Sequence, residues 1–178
     1  MIFVTFILIY IFRIANVDGD SMQNTLQNKD RLFIWEWYYI PQNGDVVPIS
    51  EGKDLKKPLV KRIIATENQK LDIDFSIGEV KINGNKLNET YIKEPMLKPK
   101  EDIVLDHDGR FIAAPMEDIH ITIPLGYSFV AGDNRNNSTD SRFSIVSLIK
   151  NEHIPGKVVY RLWPLKTIGK IKSVQTFV

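Results

Sequence analysis

The sequence has no cysteine and almost no net charge. Its 178 residues include 23 lysines and arginines against 22 aspartates and glutamates. Without cysteine the chain cannot be a thiol protease, a zinc–thiolate protein or a disulfide-stapled domain, and the redox state of its compartment stays open. No run of lysine and arginine exceeds two residues, so the basic patch typical of a nucleic-acid-binding protein is missing. We therefore predict no nucleic-acid partner.

Histidine is scarce, which bears on the possible chemistry. The three histidines, His107, His120 and His153, are scattered, and no serine stands in a Gly-x-Ser-x-Gly motif. His107 lies in residues 106–109, a turn sequence without further ligands at metal spacing. We predict neither a histidine-based mechanism nor a bound metal or other cofactor.

The N-terminus carries the longest apolar segment of the chain. Residues 1–12 form an apolar run that continues after Arg13 to Val17. A membrane-spanning helix needs about 20 residues, so we predict a transmembrane anchor of marginal length over residues 1–17, followed by a domain over residues 18–178. A cleavable signal peptide is the rival interpretation, but it lacks a basic stretch before the run and a small-x-small cleavage site. A third reading is that a short cytoplasmic stretch precedes Met1.

After residue 30 the chain consists of short runs of strand-forming residues. Turn signals around Gly44, Gly84 and Gly126 separate them, and no long helical periodicity appears after residue 26. This pattern predicts a mainly β fold with antiparallel sheets. The predicted strands cover residues 31–37, 45–49, 59–65, 79–82, 119–123, 127–131 and 157–163.

Ser21 and Lys61 are the candidate reactive residues. A serine hydroxyl needs an adjacent base before it attacks a carbonyl. Lysine can be that base only if its pKa falls several units below its usual ~10.4. Arg62 cannot deprotonate in a protein and is a poor candidate. In a strand, the face that carries Lys61 also carries three apolar residues: Leu59, Ile63 and Ala65. An apolar surrounding of this kind lowers the pKa of a lysine.

Four motifs occur in order along the chain. They are Ser-Met-Gln-Asn-Thr-Leu at residues 21–26, Gly-Asp-Val-Val at 44–47, Val-Lys-Arg-Ile-Ile at 60–64 and Gly-Asp-Asn-Arg-Asn-Asn-Ser-Thr-Asp-Ser-Arg at 132–142. Together they resemble the conserved boxes of the bacterial type I signal peptidases, membrane-bound endopeptidases that remove signal peptides from exported proteins. The fourth motif is the most specific, because it matches the family's pattern over its whole length.

The resemblance implies a role for individual residues. Ser21 is the nucleophile, Lys61 is the general base, and the Ser138 hydroxyl orients the lysine amine. The backbone N–H of Ser21 contributes to the oxyanion hole. Supporting residues are Asp133, Asp140 and Arg142, with Asp140 paired to Arg142 and Asp133 to Arg62. Shallow apolar substrate pockets are lined by Val17, Met22, Leu26, Leu59 and Val60.

The resemblance also implies an architecture and a setting. We expect the antiparallel β-sheet fold of the signal peptidases, with a smaller β subdomain inserted over residues 75–125 and a membrane helix before the domain. The catalytic domain would lie on the extracytoplasmic side of a bacterial cell membrane. Its partners would be membrane lipid and the signal peptides of preproteins, cut after small residues in Ala-x-Ala fashion.

Two departures from the family pattern lie near the expected cleft. Asn24 stands at the proline of the first box, and residues 65–69, Ala-Thr-Glu-Asn-Gln, stand where the family has Gly-Leu-Pro-Gly-Asp. Proline fixes φ and glycine permits positive φ, so both changes bear on loop geometry.

Two alternative functions stay open. One is a self-cleaving repressor of the same Ser/Lys class, which would need a DNA-binding domain; the other is a catalytically inactive, membrane-tethered β module that binds exported chains.

Overall fold

The computed structural model describes residues 12–50, 58–99, 101–105, 111–114, 116–174 and 176–177. Over these residues the fold is mainly antiparallel β, as predicted, and its only helices are three short 3₁₀ segments. Each predicted run contains a strand. The strands are β1 (Phe12–Asn16), β2 (Arg31–Trp35), β3 (Val46–Ile49), β4 (Leu59–Thr66), β5 (Lys70–Asp74), β6 (Glu79–Ile82), β7 (Asn85–Asn88), β8 (Asp102–Leu105), β9 (Phe111–Ala114), β10 (Ile119–Thr122), β11 (Tyr127–Ala131), β12 (Ile149–Lys150), β13 (Lys157–Trp163), β14 (Gly169–Lys170) and β15 (Thr176–Phe177).

The described strands form three sheets and a separate hairpin. The N-terminal sheet has the order β1-β2-β13-β14, the central sheet β12-β11-β4-β3 and the distal sheet β10-β5-β6-β7-β15, while β8 pairs with β9 alone. Every pairing is antiparallel. The central sheet matters most for the site, because β4 carries Lys61 and has β3 on one side and β11 on the other.

β4 departs from a plain two-residue alternation. Its pairing with β11 shifts register between Phe129 and Val130, where Phe129 lies opposite Ala65 and Val130 opposite Ile63. Ile63 packs in one core cluster with Val130, whereas Ala65 packs in another with Phe129. The predicted face shared by Lys61 and Ala65 is therefore interrupted by a β-bulge, which adds one residue to a strand and re-aims the side chains beyond it.

The distal sheet extends beyond the range predicted for the inserted subdomain. It begins with β5, which alternates buried Leu71 and Ile73 with polar residues and precedes residue 75. β6 and β7 form a tight hairpin through Asn83 and Gly84, whose φ angles are 52° and 82°. Asn-Gly with both φ angles positive is the favoured two-residue hairpin turn.

The chain after β13 links the sheets. β14 pairs with β13 in the N-terminal sheet, and β15 pairs with β7 in the distal sheet. Between them, the Val174 N–H donates to the carbonyl oxygen of Gly44 at 3.3 Å. Gly44 has φ +83°, and a Cβ atom there would lie 2.6 Å from the Val174 oxygen. Only glycine suits this crossing, because a side chain would collide with backbone.

The N-terminal segment differs from the predicted anchor where the structure describes it. Phe12–Asn16 is a strand, with Phe12 opposite Trp35 and Asn16 opposite Arg31 of β2. The prediction of a helix to residue 17 is therefore wrong for these residues, because the edge of β2 satisfies their backbone hydrogen bonds. Residues 1–11 lie outside the described residues. Within the described part of the chain, no helix has the length and apolar character needed to cross a membrane.

Candidate active site

Ser21 lies at the start of a compact turn that follows β1. The N–H groups of Thr25 and Leu26 both donate to the Met22 carbonyl, at 3.1 and 2.8 Å. The side chains of Met22 and Leu26 are buried, with 1% and 0% of their surface exposed. The sequence folds this way because two apolar side chains four residues apart hold the turn against the core, which leaves the polar Ser21 at its partly exposed edge.

Lys61 is in hydrogen-bond contact with Ser21. Its Nζ lies 2.6 Å from Ser21 Oγ, although the two residues are 40 positions apart in sequence. Lys61 itself is only 2% exposed. Burial lowers the pKa of Lys61 to about 8; Asp140 and Asp133 oppose the shift, and the positive charge of Arg142 adds to it. A pKa near 8 gives the amine a sizeable neutral fraction close to neutral pH, as a general base requires.

Ser138 determines which way the Lys61 amine points. Lys61 Nζ donates to Ser138 Oγ at 3.1 Å, and Ser138 Oγ donates to Asp140 Oδ2 at 2.6 Å. A hydroxyl has a single proton, so once Ser138 gives that proton to Asp140 it can only accept from Lys61. The lone pair of a neutral Lys61 is then left for the hydroxyl proton of Ser21.

Asp140 is a buried carboxylate held by several donors. Arg142 binds it twice, Nε to Oδ1 at 2.7 Å and Nη2 to Oδ2 at 2.9 Å, and the N–H of Gly132 donates to Oδ2 at 2.8 Å. Burial alone would raise the pKa of Asp140, but the charge and hydrogen bonds of Arg142 bring it below its usual range. Asp140 is therefore ionised and fixed, and the implied pairing with Arg142 is present.

Asp133 and Arg62 form a second buried pair beneath the site. Arg62 Nε and Nη2 donate to the two carboxylate oxygens of Asp133 at 2.8 and 2.7 Å. The Thr25 hydroxyl also donates to Asp133, and the Arg62 guanidinium stacks on the ring of Tyr91 at 4.3 Å. The pairing of Asp133 with Arg62 was predicted, whereas the contact of Tyr91 with Arg62 was not. Tyr91 belongs to none of the four motifs, so nothing in the sequence indicated that it lies at the site.

The five predicted pocket residues do not come together as one surface. Val17, Met22 and Leu26 are members of one buried core cluster, against which Val60 packs. Leu59 packs against a different cluster. A separate polar cavity of about 230 Å³, whose walls include neither Ser21 nor Lys61, is lined by Gln23, Asn24, Lys93, Glu94, Asp133, Asn134, Arg135 and Asn136.

One edge of β4 is left without a strand neighbour next to Lys61. β3 pairs with Leu59 to Arg62 on one side. On the other side β11 pairs only from Arg62 to Thr66. Within the described residues, the outer edge of Leu59, Val60 and Lys61 therefore has no strand partner, so it can accept an extended peptide by strand addition.

The two departures from the family pattern have clear backbone conformations. Asn24 has φ +87° and Asn68 has φ +63°. Asn68 keeps the left-handed conformation that glycine would supply, so the turn after β4 needs no glycine. Asn24 adopts a conformation that proline cannot reach, since its ring holds φ near −65°. The loop after Ser21 is thus built on a different local geometry from one that contains proline.

Comparisons with known proteins identify the family of the chain. Residues 1–163 match the family described as signal peptidase, peptidase S26. The chain is 32% identical over 175 residues to signal peptidase I P of Bacillus subtilis subsp. natto, covering 97% of this chain and 88% of that protein. It is 30% identical over 172 residues to a probable signal peptidase I-1 of Synechocystis sp., covering 91% and 76%. A crystal structure of a signal peptidase I from Enterococcus faecalis overlaps with a TM-score of 0.47 and 22% identity, over 67% of this chain and 97% of that one.

Proposed function

Because the chain belongs to the signal peptidase family, peptidase S26, and is a signal peptidase hydrolase, we propose that it cleaves preproteins with a Ser21–Lys61 dyad. The substrate is the signal peptide at the N-terminus of an exported preprotein, and the cut follows a small residue. One observation carries the proposal: a buried lysine with a lowered pKa lies 2.6 Å from the hydroxyl of Ser21.

In the first step, neutral Lys61 takes the hydroxyl proton of Ser21 while Oγ attacks the scissile carbonyl carbon. The direction of this transfer is supported by the Asp140–Ser138–Lys61 chain of hydrogen bonds, which turns the lysine lone pair toward Ser21. Lys61 then gives its proton to the leaving amine, and the mature protein departs. Water hydrolyses the acyl-enzyme in the second half, with Lys61 again acting as base.

The tetrahedral intermediate needs donors for its oxyanion. The backbone N–H of Ser21 supplies one, as backbone N–H groups do in many acyl-transfer enzymes. Gly19 stands where some family members carry a hydroxyl donor, so a backbone or water donor must serve in its place. Preorganised donors of this kind typically contribute about 10²–10³-fold to the rate.

The signal peptide binds as an added strand along the free edge of Leu59 to Lys61. Main-chain hydrogen bonds then hold the substrate irrespective of its sequence, and small side chains are selected where the cleft is shallow. Val17, Met22, Leu26 and Val60 form the packed layer beneath the Ser21 turn. Their burial favours alanine before the cut, since little apolar surface is open to a larger side chain.

The enzyme is bound to the bacterial cell membrane through its N-terminal apolar segment, with the catalytic domain on the extracytoplasmic side. This part of the proposal rests on the sequence of residues 1–11 and on the family's function. It agrees with where signal peptides emerge during export. Membrane lipid would therefore be a second partner.

The deciding experiment compares cleavage of a preprotein by the wild-type protein and by Ser21→Ala. We expect the variant to fold and to lose more than about 99% of the activity, because nothing else can form the acyl-enzyme. A triple variant with His107, His120 and His153 changed to Gln serves as the control and should stay active. Turnover by Ser21→Ala above a few per cent, with contaminating peptidase excluded, would contradict the proposal.

A further inference from the structure

The loop of residues 132–134 contacts the backbone around Ser21. The backbone N–H of Asn134 donates to the carbonyl oxygen of Ser21 at 3.0 Å. The Asn134 side-chain Nδ2 donates to the carbonyl oxygen of Asp20, also at 3.0 Å. Asn134 therefore holds the peptide units on both sides of Ser21.

The bond to Asp20 has a geometric consequence for Ser21. The Asp20 carbonyl and the Ser21 N–H belong to the same peptide unit, which is planar and trans, so the two groups point in opposite directions. The Asp20 oxygen accepts two hydrogen bonds, one from Asn134 Nδ2 and one from the backbone N–H of Gln23, each at 3.0 Å. Holding this oxygen holds the direction of the Ser21 N–H. Among the described residues no protein acceptor takes this N–H, so it is free for an oxyanion.

We infer that Asn134 is a positioning residue that orients the Ser21 N–H for oxyanion binding. The inference rests on the proposed function, because it assigns a task within that reaction. Asn134 does not touch the reacting atoms, and its side chain makes no hydrogen bond to Lys61 or Ser138. Its contribution, added to that of the Gln23 N–H, is to restrict rotation of the Asp20–Ser21 peptide, which would turn the donor away from the developing charge. Preorganisation of this kind acts on the transition state and leaves ground-state binding of the peptide unchanged.

The neighbouring Asn136 provides a matched control. It is the same residue type and lies two positions further along in the same polar cavity wall. Its side chain bonds to the N–H of Leu97 and the carbonyl of Pro95, not to the Ser21 turn. Replacing Asn136 removes an amide of equal size from the cavity while leaving the Asp20–Ser21 peptide held.

The test measures kcat, KM and pH dependence for preprotein cleavage by Asn134→Ala and Asn136→Ala. We expect Asn134→Ala to lower kcat by about 10- to 100-fold, with KM and the pH midpoint unchanged because the lysine dyad is intact. Asn136→Ala should stay within about twofold of wild type. If the alanine variant does not fold, the same measurements on Asn134→Leu test the inference, because leucine has a similar volume but cannot donate a hydrogen bond to the Asp20 carbonyl.

A pair of inhibitors gives a second readout. A peptide aldehyde ending in Ala-x-Ala adds to Ser21: its carbonyl carbon bonds to Oγ, its oxygen becomes the oxyanion, and Lys61 keeps the proton. The corresponding peptide alcohol binds without reaction. Asn134→Ala should weaken the binding of the aldehyde by the same factor by which it lowers kcat/KM. The binding affinity for the alcohol should stay unchanged.

Several results would overturn the inference. They are a loss confined to KM, equal weakening of aldehyde and alcohol, a shifted pH midpoint, an equal loss in Asn136→Ala, and wild-type activity in the Asn134 variants. The Ser21→Ala experiment keeps the two proposals apart. If Ser21→Ala still cleaves preproteins, the proposed function fails; if it is inactive while Asn134→Ala is fully active, only the role of Asn134 fails.

Discussion

Gly132 and Ser21 approach so closely that no other residue fits at position 132. A Cβ atom on Gly132 would lie 2.4 Å from the Ser21 carbonyl oxygen and 2.2 Å from Ser138 Oγ. Both distances are well inside van der Waals contact. The absence of a side chain at Gly132 thus lets the polar run of the fourth motif pack directly against Ser21.

We expect Gly132→Ala to separate Ser21 from its supporting loop. The added methyl group must displace either the Ser21 backbone or the Ser138 side chain, and such overpacking costs about 1–3 kcal/mol of stability. Activity should fall at least about tenfold, since misplacing catalytic groups by a fraction of an ångström is costly. Thermal unfolding and preprotein cleavage measure the two effects. Gly169→Ala is the control, because a Cβ there meets no atom within 4 Å; equal behaviour of the two variants would contradict the prediction.

The rate of cleavage should rise with pH through a midpoint near 8, where Lys61 loses its proton. Lys61→Arg keeps a positive charge but supplies no base, so it should be as inactive as Lys61→Ala. Ser138→Ala should retain a reduced rate, because it removes only the bond that orients the amine. Rates of the three variants measured from pH 6 to 10 check this. Near-wild-type cleavage by Lys61→Arg would mean that the lysine acts as a fixed charge.

Lys61 should also destabilise the folded protein at neutral pH. Its pKa is about 8 in the fold against 10.5 for the ordinary group, so the unfolded chain binds more protons between these values. The cost of burying the charged amine is fully present below pH 8 and disappears as pH rises toward 10.5. Lys61→Met should therefore be more stable than wild type by about 1–3 kcal/mol at pH 7. Urea unfolding of both proteins should show the difference narrowing above pH 8; a constant difference would contradict it.

Restoring the family's proline at position 24 should harm this protein. Asn24 has φ +87°, and proline holds φ near −65°, so Asn24→Pro must rebuild the turn that carries Ser21. We expect a loss of at least ~1 kcal/mol of stability together with lower activity. Asn24→Gly, which accepts positive φ, should stay within about 0.5 kcal/mol of wild type. Denaturant unfolding compares them, and a stable, active proline variant would refute the prediction.

Much of this structure could be predicted because its elements follow local rules. The seven predicted runs rest on strand-forming residues and side-chain alternation, and the Asn83-Gly84 hairpin rests on turn chemistry. The Ser21–Lys61–Ser138 grouping was instead implied by the resemblance to the signal peptidases. The strand at Phe12–Asn16 was predicted as part of a helix, since an apolar run has the same composition in either form. The segment is a strand because it pairs with the edge of β2, which lies later in the chain.

The elements that escaped prediction depend on distant partners. β5 contains the polar residues Lys70, Asp72 and Asp74, which weakened the sequence signal for a strand. β15 is a strand of two residues that pairs with β7. Tyr91 becomes part of the site by stacking on Arg62. The orienting bond from Asn134 to Asp20 spans 114 residues. No local pattern encodes such contacts, because they arise when separate segments meet.

The separation of the site's parts along the chain has a consequence for folding. Ser21 and Lys61 are 40 residues apart, and Lys61 and Ser138 are 77 apart. Folds dominated by such non-local contacts form slowly, in milliseconds to seconds. The chain must lose the conformational entropy of long loops before the stabilising contacts between their ends can form. Until the fourth motif docks, the amine of Lys61 is not enclosed, so we expect its pKa to stay at its ordinary high value, at which it cannot serve as the proposed base. On the proposed mechanism, a newly made or partly unfolded copy of this protein is therefore inactive, and we expect hydrolytic activity only in molecules that have completed their fold.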